Sequence, residues 1–177
     1  MRYAALLRGV NVGGKMVKMA TLKTAMENNG FSNVKTILNS GNVLFDSDDS
    51  DQTALRNRLE TLYEKTFGFP IGTIIRSKHQ LEKLAAADPF SGVLVTPQTR
   101  LYITFLGQAP EKDLKKPYAS PDGSFKILSV TDTEIVSVLT VSDTIKTPDA
   151  MKHIEQHFGK NVTMRNWNTV MRILKAA

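Results

Sequence analysis

The first half of the chain alternates short apolar runs with segments of helical periodicity. Residues 2–8 and 71–75 are apolar runs typical of buried strands, and residues 34–38 and 43–45 predict two more strands. Apolar residues recur at helical spacing from Met19 and again between 55 and 67, and a glycine follows each of these segments. The predicted element order is β-α-β-β-α-β.

The second half repeats this order of elements, although no residue pattern repeats with it. Ser77 and Gln80 form a capping box that opens a further helix, and Thr96-Pro97 marks a linker. The elements predicted after the linker are a strand at 101–106, a short polar helix at 110–116, strands at 125–130 and 134–141, a helix from 147, a strand at 161–164 and a last helix at 167–174.

This order predicts an α+β protein of two ferredoxin-like (βαββαβ) plaits, with antiparallel sheets, helices packed on them and a C-terminal helix. The predicted domains are a first plait at 1–78, a connecting helix and linker at 79–99, and a second plait with the last helix at 100–177. A helical crossover makes strands one and two parallel, with strand three between them. The C-terminal ends of strands one and two therefore lie at the same end of the sheet.

The segment that leaves strand one, residues 8–18, is rich in glycine, and we call it the glycine loop. It reads Arg8-Gly9-Val10-Asn11-Val12-Gly13-Gly14-Lys15-Met16-Val17-Lys18. Glycines let backbone N–H groups turn toward a ligand, and the helix start that follows adds unpaired donors and a positive dipole end. We therefore predict an anion site here; the alternative is that the glycines serve only a tight turn.

The turn that leaves strand two, residues 39–42, is predicted to meet the glycine loop. Its asparagines and Asn11 offer amides as hydrogen-bonding walls for a ligand, and the alternative is that asparagines bond their own turns. The ligand-binding residues predicted in these two connections are Arg8, Gly9, Asn11, Gly13, Gly14, Lys15, Lys18, Ser40 and Asn42.

A third unusual string, residues 165–169, stands before the last helix. Asn166 or Thr163 is suited to cap that helix, and Arg165 beside a helix start favours an anion. Trp167 is suited to stack on a base, or to anchor the helix on the core. We hypothesise that Arg165, Asn166, Trp167 and Asn168 line one cleft with the glycine loop.

Other chemistries lack a necessary residue. The stretch from Gly9 to Lys15 matches a nucleotide-binding P-loop, but Met16 stands where magnesium requires Ser or Thr. His153 and His157 share a predicted helix without a third ligand, so we favour a solvent-facing pair and predict no metal site. The carboxylates at 46–51 fit a solvated loop and a helix cap. No catalytic residue or cofactor is predicted, and enzyme status stays open.

Composition sets the class of partner. The chain has 177 residues, 41% hydrophobic and 23% charged, with no cysteine and no apolar run near the ~20 residues that cross a bilayer. We expect a cytoplasmic protein with no export signal and no membrane partner; oligomeric state is not predicted. The net charge of +6 favours anionic partners, including nucleic acid and phosphorylated metabolites.

Charge and loops together favour binding of a phosphorylated or other anionic small ligand. One alternative is a nucleic-acid backbone binder, and another is a non-catalytic interaction module. RNA binding by base stacking on the sheet is disfavoured, because strand one offers only Tyr3 and strand three only Phe45 as aromatic residues.

Three separated strings occur in the order typical of a known family: ALLRGVNVGG at 5–14, SGNVLF at 40–45 and RNWNTV at 165–170. In these the chain resembles the bacterial family called domain of unknown function 1697 (DUF1697). The resemblance spans nearly the whole chain and implies a two-part α+β protein of ferredoxin-like plaits. It implies no activity, cofactor or catalytic residue.

Overall fold

The computed structural model describes residues 1–11, 13–14 and 16–177. Its strands are β1 (Arg2–Leu7), β2 (Ser32–Ile37), β3 (Asn42–Asp46), β4 (Thr73–Ser77), β5 (Thr99–Leu106), β6 (Tyr118–Ala119), β7 (Phe125–Val130), β8 (Glu134–Thr140) and β9 (Val162–Asn166). Its α-helices are α1 (Met19–Asn28), α2 (Gln52–Phe67), α3 (Lys78–Ala86), α4 (Thr147–Phe158) and α5 (Trp167–Ala176).

The first sheet has the strand order β2-β3-β1-β4, and every neighbouring pair is antiparallel. β3 therefore lies between β1 and β2, as the crossover rule predicted. This is the ferredoxin-like arrangement, and it brings the C-terminal ends of β1 and β2 to the same edge of the sheet.

The core of the first unit lies between this sheet and the helices α1 and α2. Tyr3 and Phe45 stack at 5.7 Å between ring centroids, and Phe31 meets Phe45 edge-on at 5.2 Å. Tyr3 and Phe45 are buried, so the aromatic side chains of the central strands are part of the core. They are therefore unavailable for stacking on bases.

Local signals set the helix boundaries of the first unit. The Asp51 carboxylate accepts hydrogen bonds from the N–H groups of Thr53 (2.8 Å) and Ala54 (3.2 Å), which starts α2. The predicted capping box is present at α3, where Ser77 and Gln80 accept each other's backbone N–H through their side chains.

The second sheet has the order β6-β7-β8-β5-β9, again with antiparallel neighbours. When β6 is set aside, this order matches that of the first sheet strand for strand. Two α+β units with antiparallel sheets, the predicted fold class, are confirmed.

The second unit differs from the prediction at its first crossover. The helix predicted at 110–116 is a single 3-10 turn, Lys112–Leu114, followed by the short strand β6. Between Pro110 and Pro117 the only large apolar side chain is Leu114, so an α-helix here has no apolar face to bury.

Packing divides the chain into two compact units, Met1–Ala86 with Met171–Ala177 and Ala87–Val170. α3, predicted as part of the connection between plaits, groups with the first unit and contacts β1 and β4. Within the described residues, no helix has both the length and the apolar character needed to span a bilayer.

Candidate functional site

The glycine loop and the turn after β2 meet at one end of the first sheet, as the topology predicted. The side-chain amide of Asn11 donates to the carbonyl oxygen of Asn39 at 2.7 Å. The backbone N–H of Leu7 donates to the carbonyl of Gly41, and that of Arg8 to the carbonyl of Gly72, both at 2.8 Å. Three connections therefore converge at this edge.

Gly41 is required by this close approach. Its φ is +72°, and a Cβ placed there would lie 2.6 Å from Val10 Cγ2 and 2.8 Å from Leu7 Cβ. Both distances are far inside van der Waals contact. A residue with a side chain would push the two connections apart.

Asn11 closes the base of the glycine loop. Besides its bond to Asn39, its Oδ1 accepts the N–H of Val17 at 2.8 Å, and its φ of +59° is one that asparagine tolerates. The neighbours Val10 and Val17 are buried. These hydrogen bonds fix the base of the loop. The side-chain amide of Asn11, predicted from the sequence to contact a ligand, is used in these bonds.

Asn42, predicted as a hydrogen-bonding wall for a ligand, bonds residues of its own turn, and its role toward a ligand stays a prediction. Its side chain is fully buried, and its Nδ2 donates to Ile37 O and Ser40 Oγ, both at 3.0 Å. Ser40 is exposed at the turn. The alternative interpretation, that the asparagines bond their own turns, holds for Asn42.

Two glycines of the loop, Gly13 and Gly14, are open to solvent. Gly13 and Gly14 are exposed with φ of +59° and +83°, and no atom lies within 4 Å of the position of a Cβ on either. Their N–H groups have no acceptor among the residues that the structure describes. Gly9 is likewise exposed, with φ +63°, whereas Lys15 lies outside the described residues.

The loop runs into a helix start that has no side-chain cap. Lys18 occupies the N-cap position of α1 with φ −73° and ψ 118°, makes no capping hydrogen bond and is exposed. The first turn of α1 contains no acidic residue. The partial positive charge of the helix end is therefore not offset by a carboxylate of this turn.

Arg165 is a buried arginine rather than a surface cation. Its side chain is 9% exposed, and its Nη1 donates to Thr163 Oγ1 and to the carbonyl of Met164, both at 2.8 Å. Burial lowers the pKa of Arg165 to about 10. Its place in a site shared with the glycine loop stays a prediction.

The residues after Arg165 build the start of α5. The Oδ1 of Asn166 accepts the N–H of Asn168 at 2.9 Å, which makes Asn166 the cap that the sequence suggested. Trp167 meets Phe90 edge-on at 5.4 Å between ring centroids. This contact supports the anchoring interpretation of Trp167, and Asn168 remains exposed.

Sequence reasoning missed Arg76, which occupies in β4 the position of Arg165 in β9. Arg76 pairs with Ala4 of β1 and Arg165 with Ile103 of β5, and each Nη1 donates to the preceding carbonyl at 2.8 Å. Each arginine precedes a residue that caps a helix, Ser77 or Asn166. The sequence carries little signal of this equivalence, because residues 73–87 and 162–176 are identical only at the arginine and at the alanines 87 and 176.

The two histidines of α4 are packed against rings rather than only facing solvent. His153 stacks on Phe125 at 5.0 Å and 5°, and His157 lies 4.8 Å from Tyr118. Among the described residues, no three His, Asp or Glu side chains are grouped so that they could hold a metal ion.

Comparison with known proteins places the chain in a family. The sequence pattern of the proteins of unknown function called DUF1697 matches residues 1–135. A solved structure, that of a conserved bacterial protein from Streptococcus pneumoniae, superposes with a TM-score of 0.70 at 24% identity, covering 98% of this chain and 97% of that one. No curated protein matches the chain. The chain therefore belongs to the DUF1697 family, whose description gives no function.

Proposed function

We propose that the first unit binds an anionic small molecule, of which a phosphorylated metabolite is the favoured class, at the tip of the glycine loop. The observation that carries the proposal is the exposed Gly13-Gly14 backbone, which directly precedes the uncapped start of α1. Backbone N–H groups and a helix N-terminus together favour a phosphate. A cytoplasmic location, expected from the sequence, belongs to the same proposal.

The scaffold beneath the tip supports this proposal. Asn11 ties the loop to Asn39 and to Val17, and Gly41 packs under Val10. Because these contacts fix the base of the loop, that base loses little conformational freedom when a ligand binds, which favours affinity. Asn11 holds the base of the loop, and Asn42 holds the neighbouring turn. The proposed ligand contacts are the N–H groups of Gly13 and Gly14 with the cations Arg8, Lys15 and Lys18.

The expected affinity is low for a bare anion. Each charge-assisted hydrogen bond contributes ~1.5–3 kcal/mol, so two or three give roughly 3–9 kcal/mol before the cost of association. Inorganic phosphate is therefore expected to bind with a dissociation constant of about 1 mM or weaker. A natural ligand needs further contacts beyond its phosphate group.

The proposal is tested by titrating the ¹⁵N-labelled full chain with inorganic phosphate. We expect saturable shifts of the Gly13, Gly14 and Met19 amide resonances, and weaker binding in Lys18→Gln. Lys35→Gln, which removes an exposed lysine of β2, is the matched control and should bind like the wild type. Equal affinities in both variants, or no saturable shift at 13–19, would contradict the proposal.

The salt dependence of the binding affinity distinguishes nucleic-acid binding from small-anion binding. A single-stranded oligonucleotide that contacts several phosphates loses affinity steeply as salt rises, whereas a single anion shows a shallow dependence. Tight oligonucleotide binding with a steep slope would favour the nucleic-acid alternative. If neither phosphate nor the oligonucleotide binds, the interaction-module alternative is favoured.

A further inference from the structure

The second unit repeats the hydrogen bonds that support the glycine loop. At the end of β1 the N–H of Leu7 donates to Gly41 O, and at the end of β5 the N–H of Leu106 donates to Thr133 O at 2.9 Å. The next N–H of each strand, of Arg8 or of Gly107, donates to the residue just before the edge strand, Gly72 or Asn161. The segment after β5 therefore occupies, in the second unit, the position that the glycine loop occupies in the first unit.

The helix that follows this segment is different in the second unit. Where the first unit has α1, the second has only the 3-10 turn Lys112–Leu114. A full helix N-terminus, with its partial positive charge, is thus missing from this position. The helix end that remains here is the C-terminus of α4, and the C-terminal end of a helix carries partial negative charge.

A cleft of about 200 Å³ lies at this end of the second unit. Its largest apolar lining residues are Leu106, Leu114, Phe158 and Val162, of which Leu106 and Val162 are buried. Glu111 and His157 are exposed and contribute the ionisable part of the lining. The cleft is therefore apolar at its base and polar at its mouth.

The ionisable groups at the mouth of the cleft are His157 and Glu111. The Nδ1 of His157 lies 2.8 Å from the carbonyl oxygen of His153, and since a carbonyl can only accept, Nδ1 carries the proton. The Glu111 carboxylate carries a negative charge and only accepts hydrogen bonds, so the mouth favours a cationic donor.

We infer that this cleft, lined by Leu106, Glu111, Leu114, His157, Phe158 and Val162, binds a small protonated amine that carries an apolar body. Its volume exceeds that of a cavity of about 150 Å³, which holds one benzene molecule. The apolar base takes the body, and Glu111 with the end of α4 takes the ammonium group. The inference is independent of the anion site proposed for the first unit.

The test titrates the ¹⁵N-labelled full chain with benzylamine, benzyl alcohol and benzoate at neutral pH and constant ionic strength. These probes share one ring and differ in charge. We expect saturable shifts at residues 106–114 and 157–162, with benzylamine binding more tightly than benzyl alcohol and benzoate weakest. Equal affinities of the three probes, or shifts that do not saturate in these segments, would overturn the inference.

Two variants that each remove one carboxylate test which of them binds the ammonium group of benzylamine. Glu111→Gln is expected to weaken benzylamine binding about three- to fivefold, the effect of one partly exposed ion pair, and to leave benzyl alcohol unchanged. Asp113→Asn removes a neighbouring carboxylate that does not line the cleft and should bind both probes like the wild type. If Glu111→Gln binds benzylamine as tightly as Asp113→Asn, the assignment of Glu111 is wrong.

Discussion

The side-chain amide of Asn11 donates a 2.7 Å hydrogen bond to the carbonyl oxygen of Asn39, 28 residues away in sequence. This bond joins the connection after β1 to the connection after β2. Asn11 Oδ1 also accepts the N–H of Val17. One side chain therefore closes the base of the glycine loop and ties that base to the turn after β2. The anion site proposed at the tip depends on this fixed base.

Loss of the Asn11 side chain is expected to lower stability. Asn11→Gly removes both hydrogen bonds while tolerating the positive φ, and should reduce the free energy of unfolding by about 1–2 kcal/mol. Asn11→Ala adds left-handed strain and should cost about 1 kcal/mol more. Chemical denaturation measures both. Equal stability of the two variants would show that the positive φ at this position is not maintained.

A methyl group at Gly41 is expected to be far more disruptive than one at Gly13. Gly41→Ala combines left-handed strain with contacts at 2.6 Å and 2.8 Å, for a loss of about 2–4 kcal/mol. Gly13→Ala has a similar φ with open space around it, so only about 1 kcal/mol is expected. Their difference, measured by urea unfolding, isolates the packing of the two connections. Similar losses would contradict the close approach at Gly41.

Adding a cap at the start of α1 is expected to stabilise the protein. Lys18→Asn introduces a side chain that accepts a backbone N–H in the extended geometry already present, and should raise the free energy of unfolding by about 1 kcal/mol. Lys18→Ala removes the same cation without adding a cap and is the control. We expect Lys18→Asn to unfold at a higher temperature than Lys18→Ala. The reverse order would mean that these N–H groups are already satisfied.

Acid is expected to weaken the hairpin turn that carries Asp122. A hydrogen bond from the Ser120 hydroxyl, then bonds from the N–H and hydroxyl of Ser124, lower the pKa of Asp122 to about 2. Because the folded pKa lies below the unfolded one, this stabilisation is complete above about pH 4 and is lost as the pH falls toward about 2.

Asp122→Asn keeps an acceptor oxygen but does not titrate, so its unfolding temperature should fall less than that of the wild type over this interval. Differential scanning calorimetry at several pH values makes the comparison. Asp113→Asn, at an exposed carboxylate outside the turn, should follow the wild type. Parallel curves for all three proteins would contradict the role of Asp122.

Local chemistry in the sequence determined the order of elements and several of their ends. Asp51, Ser77 and Gln80 act on N–H groups within three residues, and Gly68 ends α2 with a left-handed φ of +79°. Such signals need no distant partner. Once the order of elements is known, the crossover rule makes β1 and β2 parallel. This is enough to predict that the glycine loop and the turn at 39–42 converge.

Tertiary structure decided which of the predicted polar residues remain exposed. The Asn11 amide is occupied by a carbonyl 28 residues away, and Arg165 is buried, because the acceptor and the covering side chains come from strands and turns that meet only after the sheets form. The hydrogen bonds of Asn42 are local, to Ile37 and Ser40, but its burial also depends on the sheet. The equivalence of Arg76 and Arg165 likewise depends on strand register. Sequence alone determined where the chain turns and begins its helices, since those interactions are local; which donors and charges stay open to a ligand was decided by packing, since burial joins residues far apart in sequence.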